Sequence, residues 1–174
     1  MKISSISRGL TLSALAAAAL VTPAQPALAD DVSFILPAGI GCEFNLGVSW
    51  TGGNLHTEEF TDKNGEVVRI LTAGKGVLLT YTNYGTKKKP VAGESITIRT
   101  DGSVTEIVVN PDGTLTYTAT GHNGLVMYPS DVPAGPSTIH YIGRIVFTVD
   151  PVTGVFTLVS TSGSALDVCA ELAS

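Results

Sequence analysis

Three histidines, His56, His122 and His140, and two cysteines, Cys42 and Cys169, are where chemistry in this 174-residue chain would first be sought. Imidazole is the one side chain whose unperturbed pKa lies near neutrality, so an acid–base hydrolase would recruit one of the three. None stands in a catalytic pattern: the chain has no G-x-S-x-G elbow and no H-E-x-x-H pair. His122 is the best of them. Gly121-His122-Asn123-Gly124 reads as a glycine-flanked turn near a proline-rich stretch, and loops carried by a rigid scaffold often bear sites. A hydrolase would need Asp131 or a nearby serine to converge on the His122 ring. The plainer reading is a turn residue, so His122 is expected in an open turn with no carboxylate or hydroxyl at its ring and no hollow beside it. His56 and His140 fall in strand-like runs and read as solvent-facing or hydrogen-bonded strand residues.

Cys42 and Cys169 sit near the two ends of the segment left after removal of an N-terminal signal, and an exported chain meets an oxidising environment. A structural disulfide is the default expectation, worth roughly 4 to 5 kcal/mol in the loop-entropy view. Paired cysteines leave no reactive thiol, and two cysteines without histidines at ligand spacing make a poor zinc site. Asp62-Lys63-Asn64-Gly65-Glu66 spaces oxygen ligands at alternate positions, as calcium would use them. Its glycine is fourth rather than sixth, however, and a tight hairpin explains Asn64-Gly65 without a metal. No metal and no cofactor is therefore assigned. Among the aromatics, Trp50, Tyr81, Tyr117 and Tyr141 share strand faces with aliphatic residues and read as core. Tyr84 and Tyr128 stand at loop edges and are the plausible platforms for a sugar ring. The run Lys87-Lys88-Lys89 reads as a solvated loop tip.

Composition narrows the class. The chain carries 10 Lys+Arg, 15 Asp+Glu, 44% apolar and only 14% charged residues, a balance that predicts a folded domain. Part of the apolar excess lies at residues 11–29, behind Lys2 and Arg8 and ahead of Ala27-Leu28-Ala29, which is the pattern of a secretory signal peptide over 1–29. That run is short for a membrane span. Cleavage after Ala29 leaves 145 residues, 30–174, with 8 basic and 15 acidic side chains and a charge of −7. Nucleic acid is excluded as a partner on that charge, and no membrane association is expected once the signal is removed.

The elements that must position these residues are strands. The mature segment holds 19 Thr, 17 Val and 9 Ile, whose stiff β-branched side chains suit a pleated surface. Cys42 to Trp50 alternates cleanly, with Cys42, Phe44, Leu46, Val48 and Trp50 on one face. Turns are expected at Thr51–Asn54, Asp62–Gly65, Gly74 to Gly76, Asp101-Gly102, Asn110–Gly113, Gly121–Gly124 and Asp150–Gly154. Residues 129–138, with three prolines, read as an ordered surface loop, and Ala165–Leu172 is the best helical candidate. Ten to twelve short strands with one-face alternation predict an all-β fold, a two-sheet antiparallel β-sandwich of Ig-like or related type in one domain over 30–174, closed by one disulfide.

The stretches NPDGT, TGHNGL, DVPAGPST, GRIVFTVD, TGVFTL and DVCAEL, with the signal and the two cysteines, resemble an uncharacterised family of small secreted actinobacterial proteins. The resemblance spans the mature chain and implies no activity, cofactor or site residues. The function expected is a non-catalytic extracellular binding or interaction module, not an enzyme, with a protein or polysaccharide partner. Its candidate surface is Tyr84, His122, Asn123, Tyr128 and Asp131. The alternatives are a small secreted hydrolase using His122 and a structural or inhibitory protein presenting the loop at 129–138.

Overall fold

The computed structural model describes residues 32–90 and 93–174, so the signal segment expected at 1–29 lies outside the described residues. Eight antiparallel strands and one short helix follow in order: β1 (Val32–Leu36), β2 (Leu46–Thr61), β3 (Val67–Asn83), β4 (Glu94–Arg99), β5 (Val104–Val109), β6 (Leu115–Met127), β7 (Ser137–Val149), β8 (Phe156–Asp167) and α1 (Val168–Leu172). All eight strands belong to one sheet with the spatial order β1-β2-β3-β5-β6-β7-β8, and β4 pairs separately with β3. The all-β class and the disulfide agree with the sequence. In place of the two packed sheets of a sandwich stands a single sheet curled into a half-barrel.

The difference arises from glycines that bend strands without ending them. The expected turns at Thr51–Asn54, Gly74 to Gly76 and Gly121–Gly124 all lie inside long strands, so β2, β3 and β6 each run through them. Gly121 on β6 pairs with Gly143 on β7, which pairs with Gly163 on β8, forming a row of glycines across three strands. Gly121 has φ 83° and Gly143 φ 147°, and a Cβ at Gly143 would overlap the Ser162 carbonyl. Backbones can approach and coil there because nothing projects from the row. Strong coiling at one level of every long strand is what closes a sheet toward a barrel.

One edge of β3 serves two strands. Residues Leu78 to Asn83 pair with β4 and Arg69 to Ala73 pair with β5, so the sheet forks between them. Thr100 fills the fork: its Oγ1 accepts from the Val77 N–H at 2.9 Å and donates to the Val77 carbonyl at 3.2 Å. The hairpin turns at Asp62–Gly65 and Asn110–Gly113 are where the sequence places them, each closed by a backbone bond from its glycine N–H.

The core gathers at the end of the half-barrel that α1 covers. Cys42, Phe44, Leu46, Val48, Tyr81, Val168 and Leu172 are buried together, with Trp50, Leu79, Ile96 and Ile98 packed against them. Burying such side chains stabilises by roughly 1.5–3 kcal/mol each. The alternation of Cys42, Phe44, Leu46 and Val48 holds, although regular pairing begins only at Leu46. Cys42 and Cys169 form the disulfide, tying α1 to the segment before β2. The helix is shorter than expected because Ala165 to Asp167 complete β8; Asp167 then caps it by accepting from the Ala170 N–H at 3.0 Å.

Candidate functional site

His122 lies in mid-strand on β6, opposite Ile142 of β7, and the expected open turn is not formed. A Gly-x-x-Gly run reads as a turn by composition, but here the positive φ of Gly121 coils the strand and Gly124 makes room for a neighbour. His140, on β7 opposite Gly124, is fully buried. Its Nε2 lies 3.4 Å from His122 Nδ1, and its Nδ1 lies 3.5 Å from the hydroxyl of Tyr81, both at the long end of hydrogen-bond reach. A Cβ on residue 124 would overlap the Tyr81 hydroxyl, so glycine is what lets the phenol cross from β3 onto the His140 ring. Tyr81 and His140 also meet edge-on, with ring centroids 6.3 Å apart.

These three side chains form a row from the core to a hollow. Burial holds the His140 imidazole below its usual range, helped by the charge His122 would carry, and burial pushes the Tyr81 phenol well above its usual range. His122 Nε2 has no partner among the described residues. No buried polar atom there is left unpaired, so this nitrogen is open to solvent. His122 lines a cavity of about 190 Å³ at the fork of the sheet, together with Leu55, Val77, Thr72, Thr105 and Asn123 and the backbone of the fork. A hollow therefore lies beside His122, contrary to the sequence expectation.

The Ser103 hydroxyl bonded to the His122 main chain is not free to react. Ser103 Oγ accepts from the His122 N–H at 3.1 Å and shares its single hydrogen between the His122 and Thr100 carbonyls, at 2.6 and 2.9 Å. It pins the segment before β5 to β6, and both of its hydrogen bonds to His122 are to the main chain. Asp131 is elsewhere. It is 4% exposed, its Oδ2 accepts from the Tyr128 N–H at 2.6 Å and its Oδ1 from the Phe156 N–H at 3.1 Å. Its role is to fold the loop at 129–138 onto β8, where Val132 exchanges backbone bonds with Phe156 and Leu158. That loop is laid along the sheet edge, with Val132 itself exposed.

Of the candidate surface, only His122 and Asn123 share a cavity. Tyr84 is 44% exposed and packs over Gly47 beside Phe34 and Thr82, in a separate shallow hollow. Tyr128 is exposed at the start of the loop that Asp131 organises. The acidic hairpin is a turn device: Asp62 Oδ1 accepts from the Glu66 and Asn64 N–H groups at 3.0 and 2.8 Å, which lowers its pKa. Among the described residues no group of three or more His, Cys, Asp or Glu side chains is placed to hold a metal ion. Tyr81 and Thr105 join the site without having been singled out for it. Tyr81 has the parity of a core residue and is one, and its hydroxyl becomes visible as a site group only when β3 faces β7. No family model, curated protein or solved structure matches the chain.

Proposed function

We propose that this chain is a secreted, non-catalytic binding module whose site is the cavity at His122. The carrying observation is that a row from buried Tyr81 and His140 ends at half-buried His122, whose second ring nitrogen has no protein partner among the described residues and which lines a hollow without a carboxylate. A row of this kind orients a ring for recognition; hydrolysis would also need a nucleophile and an acid–base partner at the ring. The only serine lining the cavity, Ser103, is engaged by the His122 main chain. Secretion is supported by the charged, apolar, small-residue order of residues 1–29 and by the disulfide. No helix among the described residues is long and apolar enough to cross a membrane.

The test is a nuclear magnetic resonance titration of the mature protein with a fragment collection, following amide and imidazole signals. The reading requires saturable shifts that cluster on Thr72, Thr105, His122 and Asn123. Shifts confined to Tyr84, Tyr128 or the loop at 129–138 would move the site elsewhere. Turnover of any ester, peptide or glycoside that is lost in His122→Ala would replace binding with catalysis.

A further inference from the structure

We infer that the His122 cavity takes a small uncharged polyol, one hydroxyl oxygen of which accepts the His122 Nε2–H. The inference rests on the reading of this cavity as the binding site and names its ligand class. The Tyr81 phenol stays protonated when buried, and its proton needs an acceptor. Among the described residues its one side-chain partner is His140 Nδ1. That nitrogen must then accept, so a neutral His140 carries its single proton on Nε2 and donates to His122 Nδ1. With Nδ1 of His122 occupied as an acceptor, the ring proton of neutral His122 is on Nε2, the solvent-open nitrogen of a residue that lines the hollow. The core thus dictates a donor at the cavity wall.

The rest of the lining selects the ligand. Thr105 Oγ1 and Asn123 Oδ1 have no protein partner among the described residues, so the cavity offers a hydroxyl that both donates and accepts and a carbonyl that only accepts. A carboxylate would satisfy His122 and Thr105 but oppose the Asn123 oxygen. An ammonium would meet the His122 N–H proton to proton. A hydroxylated molecule satisfies all three, and Leu55 and Val77 present apolar surface to its C–H faces. No charged side chain lines the hollow, so an ion would lose water without gaining a counter-charge, at a cost of several kcal/mol. The volume of about 190 Å³ lies below the roughly 300 Å³ at which drug-sized pockets begin, and at about 30 Å³ per water it holds the equivalent of about six waters, room for a small polyol rather than a drug-sized ligand.

The experiment uses the intact mature protein labelled with nitrogen-15, titrated separately with erythritol, acetate and methylammonium. Erythritol should shift the His122 Nε2 signal saturably, and the free ring should show its proton on Nε2. Thr105→Val should weaken erythritol about tenfold, the loss of one well-formed hydrogen bond. Tyr81→Phe removes the start of the chain and should turn His122 into a mixture of tautomers, while the amide spectrum of the core stays native. Binding of acetate or methylammonium in place of erythritol overturns the ligand class and leaves the cavity as the site. Silence of the cavity signals with all three probes overturns the class as well, and silence across the fragment collection overturns the site itself. A His122 tautomer unchanged in Tyr81→Phe overturns the chain of donors.

Discussion

Tyr81 on β3 and His140 on β7, 59 positions apart in sequence, meet at 3.5 Å over the bare backbone of Gly124. The contact joins β3 and β7, which are not neighbours in the sheet. Each buried polar group also answers the other's need for a partner, since an unpaired hydroxyl or imidazole in such a place costs about 1–3 kcal/mol. The same contact places His140 against the His122 ring, so under the proposed binding role stability and recognition would be coupled through one glycine.

Burial of His140 predicts a pH dependence with a defined sign. Its folded pKa lies below the ordinary 6.5, so the unfolded chain binds the proton more readily. The stability linked to this group is complete above the unfolded value and is lost as pH falls from there through the lowered folded value. Asp62, Asp112 and Asp150 are also lowered, by turn hydrogen bonds, and their contribution is present above the ordinary 3.8 and lost in a separate, more acidic window. Urea midpoints measured across both windows should show two descents. The upper descent should flatten in His140→Gln; an unchanged upper slope would remove His140 as its source.

The disulfide should be the largest single contributor to stability. It closes a loop with a sequence separation of 127 and holds α1 against the core. Reduction, or Cys42→Ala with Cys169→Ala, should cost about 4–5 kcal/mol in the loop-entropy view, seen as an earlier thermal and urea transition. Native material that alkylates at both cysteines would mean the bridge is not made in the native protein.

How far the sequence could be read depended on the range of each interaction. Alternation in Cys42 to Val48, the Asn64-Gly65 hairpin and the β-branched composition are local signals, and each matches the structure. Gly121 to Gly124 was ambiguous for a physical reason: positive φ at glycine serves a turn and a coiled strand equally well. Pairing partners decide between them, and Gly143 lies on a different strand. The sandwich expectation failed at that point, because reading glycines as strand ends multiplies the strands. His122 was legible as a candidate, whereas its neighbours Tyr81, Thr105 and His140 come from three other strands that only the sheet order brings together.

The glycine row makes a prediction with an internal control. Gly121 combines φ 83° with a Cβ position 2.5 Å from the Gly102 carbonyl oxygen, whereas Gly113 combines φ 86° with open space. Gly113→Ala should cost about 1–2 kcal/mol, the backbone strain alone. Gly121→Ala should cost about 3 kcal/mol or more, because the Gly102–Ser103 turn before β5 must also move off β6, and it should disturb the His122 ring signals. Chemical denaturation of both variants checks this. Equal costs would show that close approach at the coil contributes nothing.

Asp131 separates the binding reading from the hydrolase reading. Its two oxygens accept from the Tyr128 and Phe156 N–H groups, and it is nearly buried, so Asp131→Ala leaves two backbone donors without partners in a place where water enters poorly. At about 1–3 kcal/mol for each orphaned donor, the variant should lose roughly 3 kcal/mol and free the segment that Val132 ties to β8. Hydrogen exchange at Val132 and Leu158 should rise, since their exchanged backbone bonds depend on that segment lying flat against the edge. The His122 ring, held by His140, should keep its tautomer and its response to cavity ligands under conditions where the variant is folded. An Asp131→Ala protein of undiminished stability whose His122 signals move would place the carboxylate at the ring, and the catalytic reading would then displace the binding one.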